Sequence, residues 1–229
     1  MTTFVLVPGA WHGAWTFEPL ARDLRREGHE AYPLTLTGLG SRKHLLNASV
    51  NLDTHILDVV HHMEDEQITD AVLVGHSYGG MVVTGAADRV PERVAGLVYV
   101  DAVLPEDGQS VWQLVTDNER AWYLDGVGEN GYTSAPMSFL DPRATPHPLA
   151  SLMQAIRLDG GLDRFRGKDY VYATGWPDGS PFTEVYERLS ADPAWHTHAV
   201  DSAHNVMRDA PDELLKVLLD AAARAQSSE

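Results

Sequence analysis

The chain has 229 residues, 44% of them hydrophobic and 22% charged, which suits one α/β domain around a single core and leaves too little for two. Lys and Arg number 17 against 33 Asp and Glu, a formal charge of −16, so the surface repels phosphates and argues against nucleic acid or an anionic membrane as a partner. The absence of cysteine excludes disulfides, thiolate metal sites and a cysteine nucleophile.

No apolar run approaches the roughly 20 residues that span a bilayer. The first residues carry no basic segment of the signal-peptide kind, so a cytoplasmic location is expected.

In chain order, residues 4–7 form an apolar, β-branched run closed by Pro8-Gly9, a buried strand and its turn. Residues 15–27 place Phe17, Leu20, Ala21 and Leu24 at helical spacing, with Gly28 as the stop. Residues 30–34 read as a second strand and 35–47 as a loop. Residues 54–66 are amphipathic, with Ile56, Val59, Val60 and Met63 on one stripe. A strand at 71–74, a helix at 81–90 and a strand at 95–100 follow. This β-α-β-α-β-α-β order predicts an α/β fold, with a mostly parallel central sheet covered by helices on both faces.

The pattern weakens over residues 105–167, which are rich in Asp, Pro and Gly with scattered aromatics. That length exceeds a simple loop and predicts a small helical cap insertion. Residues 1–104 and 168–229 then form the core of a single domain. Strand character returns at 170–173 and 196–200. A final helix over 211–225 turns Leu214, Leu215, Leu218 and Leu219 inward, before a frayed tail.

The chemistry concentrates at Gly75-His76-Ser77-Tyr78-Gly79. An apolar strand leads in and an apolar helix leads out, the context a nucleophile elbow requires. The tight turn lifts the Ser77 hydroxyl above the sheet edge, and the helix after it aims backbone N–H groups at a developing oxyanion. A serine needs a base to take its proton. Among eleven histidines, His204 follows the last strand and precedes the final helix, where this architecture places the base. His196 and His198 lie within the strand. His76 is expected to point away across the turn, and His12 to stand at the pocket mouth.

These residues resemble the α/β-hydrolase superfamily. The opening Phe4-Val-Leu-Val-Pro-Gly-Ala-Trp-His-Gly-Ala-Trp15 is similar to that of the plant methyl esterase and hydroxynitrile lyase branch and of related bacterial esterase-like hydrolases. Thr37-Gly38-Leu39-Gly40, the Ser77 turn, the segment 99–105 and His204 extend the resemblance over nearly the whole chain. It implies eight strands, of which the abrupt start here would leave the first two shortened or absent. The family's opening turn reads His-Gly; Pro8-Gly9 stands there instead. By the same resemblance, the backbone N–H groups of Ala10 and Tyr78 form the oxyanion hole.

The acid that orients His204 has two places in such folds. One is the loop after the strand at 170–173, whose only acid is Asp178; related enzymes put the acid about where Gly175 and Trp176 stand. The other is the tip of the strand after the elbow helix, occupied by Asp101, as in haloalkane dehalogenases. A carboxylate ending an apolar strand needs a partner, which favours Asp101 and leaves Asp178 as the alternative.

The expected activity is hydrolysis of a carboxylic ester of a small to medium apolar or aromatic substrate, through an acyl-enzyme on Ser77. Trp11, His12, Trp112 and Trp122 are the expected pocket residues. Two alternatives stand beside it. One is a non-hydrolytic ligand-binding or cyclisation role on the same scaffold. The other is a hydroxynitrile lyase, which the residues disfavour: similar lyases carry a threonine near the opening turn and a lysine after the histidine, and here Gly9 and Asn205 stand there. No metal or other cofactor is expected, because the pairs His61/His62 and His196/His198 lack a helical carboxylate partner. The expected partner is a small-molecule substrate, and a homodimer stays open.

Overall fold

The structure is a computed structural model that describes residues 1–165, 167–176 and 179–226. Its first half alternates strand and helix: β1 (Thr3–Val7), α1 (Glu18–Arg26), β2 (Glu30–Pro33), α2 (Leu52–Asp65), β3 (Ala71–His76), α3 (Gly79–Arg89) and β4 (Val94–Val100). The segment after β4 carries α4 (Val111–Leu114), α5 (Asp117–Asp125), β5 (Thr133–Ser134), β6 (His147–Pro148) and α6 (Leu149–Met153). Then come β7 (Gly167–Ala173), α7 (Thr183–Ser190), β8 (His196–Val200), α8 (Val206–Asp209) and α9 (Pro211–Gln226).

Six strands form one parallel sheet in the order β2-β1-β3-β4-β7-β8. Six, not eight, is the strand count of this sheet among the described residues. Alternation along each strand divides the core into two layers. Val5, Val7, Leu73, Leu97 and Tyr99 face the layer under α2, α3 and the inserted segment. Phe4, Leu6, Val72, Val74, Val98 and Val100 face the layer under α1 and α9. Burying one such apolar side chain contributes roughly 1.5–3 kcal/mol, so both layers hold the helices to the sheet.

Local chemistry sets the boundaries. α2 starts at Leu52, earlier than its apolar stripe suggests, because Asn51 and Thr54 form a capping box: Asn51 Oδ1 accepts from Thr54 N, and Thr54 Oγ1 accepts from Asn51 N. α1 starts only at Glu18, after a short turn at Ala14–Thr16. The insertion is not purely helical: β5 and β6 pair antiparallel. Val111, Val115, Tyr123, Leu152 and Ile156 of this segment pack into the same apolar layer as α2 and α3. Among the described residues no helix is long and apolar enough to cross a membrane. The carboxyl ends of β3, β4 and β8 lead directly to Ser77, Asp101 and His204.

Candidate active site

Ser77 sits one residue past β3 with φ +54, a left-handed conformation that costs a non-glycine residue on the order of 1–2 kcal/mol. Its neighbours hold it there. Its N–H donates to Val100 O at 3.2 Å, and its carbonyl accepts from Gly80 N at 3.0 Å and Val103 N at 3.1 Å. Two glycines let the turn close. A Cβ on Gly75 would lie 2.6 Å from Gly79 O, and one on Gly79 would lie 2.5 Å from Val7 O. The side chain of Ser77 is half-buried and makes no hydrogen bond among the described residues, to His204 or to anything else.

Ala10 and Tyr78 are buried, yet neither backbone N–H donates a hydrogen bond among the described residues. Buried backbone donors are rarely left unpaired. Gly9 brings the first of them close: a Cβ there would fall 2.9 Å from Ser77 Cβ. The second belongs to the residue after Ser77, at the N-terminus of α3, where the helix dipole favours negative charge.

Asp101 caps β4 with φ +43 and is fully buried. Its Oδ2 accepts from His204 Nδ1 at 2.7 Å and from Trp176 Nε1 at 2.8 Å; its Oδ1 accepts from Ala173 N at 3.1 Å. The buried carboxylate is thus satisfied by three donors, as its desolvation requires. The other acid considered, Asp178, lies outside the described residues. With Nδ1–H given to Asp101, His204 presents a bare Nε2. Its ring packs against both Trp176, at 4.9 Å between centroids, and Phe182, at 6.0 Å, which also touch each other at 6.5 Å.

His76 corrects the expectation that it points away. Its Nε2–H donates to the backbone carbonyl of His204 at 2.9 Å, and the two rings lie 4.5 Å apart. Burial pushes its imidazole well below the ordinary histidine range, with the nearby His204 and His12 adding to the push. It braces the segment that carries His204.

A cavity of about 1000 Å³ opens beside His204. Aromatic rings from four places line it: Trp15, Trp122, Phe139 and Trp176. His12 and His204 also line it, while Ser77, Trp11 and Trp112 do not. Trp11 is instead buried against Tyr123 and His147, and Trp112 packs within the inserted segment beneath the Arg120 guanidinium. Arg143 lies 4.1 Å over the Trp15 ring and grips Asp141 with two N–H groups, holding that carboxyl well below the usual carboxylate range. Among the described residues no group of three or more His, Asp or Glu side chains is arranged to hold a metal ion.

With this geometry in place, comparison with known proteins identifies the lineage. Residues 4–223 match the model of the "Alpha/beta hydrolase family". The chain belongs to the α/β-hydrolase family. It is 36% identical to a carbendazim hydrolyzing esterase of Nocardioides sp. (strain SG-4G), an alignment covering 95% of this chain and 98% of the relative. Methylesterase 18 of Arabidopsis thaliana is 26% identical, with 96% of each chain covered. Among solved structures, an extracellular α/β-hydrolase from a Paenibacillus species shares the fold with a TM-score of 0.79 at 24% identity, covering 96% of this chain and 99% of that one.

Two residues of this α/β-hydrolase escaped the sequence reading. His76 left a faint signal: a polar residue at a strand position whose neighbours, Val72 and Val74, face an apolar layer. Trp176 left another, since it stands where the resemblance leads one to expect an acid, and it donates to Asp101.

Proposed function

We propose that this α/β-hydrolase cleaves carboxylic esters through an acyl-enzyme on Ser77. The observation that carries the reading is that the buried residues Ala10 and Tyr78, the latter next to that serine, have backbone N–H groups that make no hydrogen bond among the described residues. A ligand-binding protein has no need of them; an acyl-transfer enzyme does.

In the first half-reaction His204 Nε2 takes the Ser77 proton as Oγ attacks the ester carbonyl. The carbonyl oxygen becomes an oxyanion, held by the Ala10 and Tyr78 N–H groups and the dipole of α3. Asp101 steadies the imidazolium through Nδ1–H. His204 then gives its proton to the departing alkoxide. In the second half-reaction His204 activates a water, which attacks the acyl-enzyme and releases the carboxylic acid. The transfer needs the Ser77 hydroxyl turned toward His204 Nε2, and no other hydrogen bond among the described residues holds it away. Such contacts commonly tighten only with substrate bound.

The aromatic cavity supports an apolar or aromatic substrate of small to medium size. The esterase names of two relatives support the ester bond.

The test is turnover of p-nitrophenyl acetate, butyrate and benzoate by the wild-type protein and by Ser77→Ala. The wild type hydrolyses them, and Ser77→Ala loses at least about 10,000-fold in kcat. Absence of turnover in the wild type, with aromatic esters still bound, would favour a non-hydrolytic role instead.

A further inference from the structure

The peptide unit joining Ala10 to Trp11 is gripped by an imidazole at each end. Its carbonyl, on Ala10, accepts from His12 Nδ1 at 2.6 Å. Its N–H, on Trp11, donates to His147 Nδ1 at 3.3 Å. The first bond needs a protonated Nδ1 and the second a bare one, so the rings are held as opposite tautomers. His147 Nε2–H then donates to Ser151 Oγ at 2.8 Å, and the Ser151 hydroxyl donates to Pro148 O at 2.8 Å. The two imidazole protons of this chain, on His12 Nδ1 and His147 Nε2, are thereby placed.

Trp11 has φ +66, a conformation that persists only where its surroundings impose it. Those surroundings come from the inserted segment. The Trp11 carbonyl accepts from Thr145 N at 2.9 Å, and its indole N–H donates to Ser134 O at 2.9 Å. Its ring packs on Tyr123 and His147. Each polar atom of Trp11 is therefore bonded to a residue between 134 and 147, while the residue before it carries one of the two unspent N–H groups beside Ser77.

We infer that His147, acting with His12, is a positioning residue for the oxyanion turn: through Trp11, the inserted segment fixes the Ala10–Trp11 peptide plane and so the direction of the Ala10 N–H. The Ala10 N–H itself belongs to the Gly9–Ala10 peptide, whose carbonyl, Gly9 O, accepts from His12 N at 3.3 Å; with the next peptide clamped as well, both planes that meet at Ala10 are held, and Gly9 lies close against His76 and Ser77. Full burial holds the His147 imidazole well below the ordinary histidine range, preserving the bare Nδ1 that Trp11 needs. His147 is buried and does not line the cavity, so it acts through the turn and not on substrate. The segment that shapes the pocket thereby also aims the catalytic dipole. This inference rests on the reading of the Ala10 N–H as an oxyanion donor.

Three variants test it with p-nitrophenyl butyrate. His147→Asn keeps an acceptor close to the position of Nδ1; His147→Gln and His147→Leu do not. The Leu and Gln variants lower kcat by about 10- to 100-fold, the cost of misaiming one donor by a fraction of an ångström or more, with KM within about threefold of wild type. His147→Asn restores kcat to within about fivefold. Thermal unfolding scores folding separately, and the Asn and Gln pair stays informative if the Leu variant does not fold. Equal impairment of Asn and Gln, or a kcat near wild type in all three, would overturn the inference. A wild type that is inactive, or active without Ser77, would instead remove the esterase reading on which it rests.

Discussion

Asp101 Oδ2 and His204 Nδ1 lie 2.7 Å apart, joined by a hydrogen bond that spans 103 residues of sequence. The carboxylate belongs to the tip of β4 and the imidazole to the loop after β8, so the sheet itself sets their separation. Replacing Asp101 by Asn leaves the shape but removes the charge and turns the amide into a competing donor. Asp101→Asn is expected to lower kcat by about 10,000-fold while the protein still folds. Trp176→Phe removes one of the two hydrogen bonds to Oδ2 and keeps an aromatic wall; a loss near tenfold is expected, since a bond to a charged group is worth about 1.5–3 kcal/mol at most. Near-normal turnover by Asp101→Asn would transfer the acid role elsewhere, with Asp178 first in line.

The glycines of the serine turn make a second, sterically ranked prediction. A Cβ on Gly80 would fall 2.0 Å from Val103 O, a backbone atom that cannot move aside, whereas one on Gly28 meets nothing within 4 Å. Gly80→Ala should destabilise by about 3 kcal/mol or more. Gly28→Ala, strained only by its φ of +84, should cost about 1–2 kcal/mol. Urea unfolding midpoints of the two variants decide it; a Gly80→Ala protein as stable as Gly28→Ala would show that the turn is looser than described.

Three buried histidines give the fold a pH dependence with a definite sign. Burial lowers His55 from the ordinary 6.5 to about 4, and it also drives His76 and His147 well below the ordinary range. In the unfolded chain these rings take up protons as pH falls through 6.5, while in the folded chain His55 stays neutral until about 4 and His76 and His147 until well below the ordinary range. The unfolded state therefore binds more protons in this window, and stability falls on acidification by up to about 1.4 kcal/mol per pH unit for each histidine. Thermal melts from pH 7 to pH 5, above most carboxylate titrations, should show a steadily falling Tm, with a shallower fall in His147→Asn. A Tm that stays level over that range would contradict the burial of neutral imidazoles.

The cavity wall makes a prediction about selectivity. Trp122, from α5, and Trp15, from the opening turn, both line the space beside His204. Trp122→Ala should raise KM for p-nitrophenyl benzoate by about tenfold, the value of one lost aromatic contact of about 1.4 kcal/mol, and change KM for the acetate little. Equal changes for both esters would mean that the acyl group does not reach this wall.

The layers of the fold were legible because alternation and helical spacing are local properties. β1, β3 and β4 are apolar runs that must be buried on both faces, and the stripe of α2 needs the sheet beneath it. Residues 105–167 stood out in the sequence only as a break in pattern. β5 and β6 have two residues each, too few for periodicity, and what holds them beside the core is Trp11, whose partners Ser134 and His147 lie more than 120 residues away. For the same reason Trp11 was expected to face a pocket: an aromatic residue beside a presumed site reads as a pocket wall until its indole finds an acceptor. Trp112 does not line the cavity either; it packs beneath the Arg120 guanidinium. The Ser77 turn was readable from its glycines, because their contacts are with the turn itself and with β1 next to it. The support that His76 and Trp176 give to His204 and Asp101 was not, since it depends on which strand tips meet.

The most direct measurement is the mass of the protein trapped during turnover of a slowly deacylating aromatic ester, with the modified peptide sequenced. One acyl group should appear on Ser77, decay in the wild type as free acid accumulates, and fail to form in Ser77→Ala or, at a comparable rate, in His204→Ala. Turnover with no adduct at Ser77, or an adduct that forms as fast without His204, would contradict acyl transfer at this site.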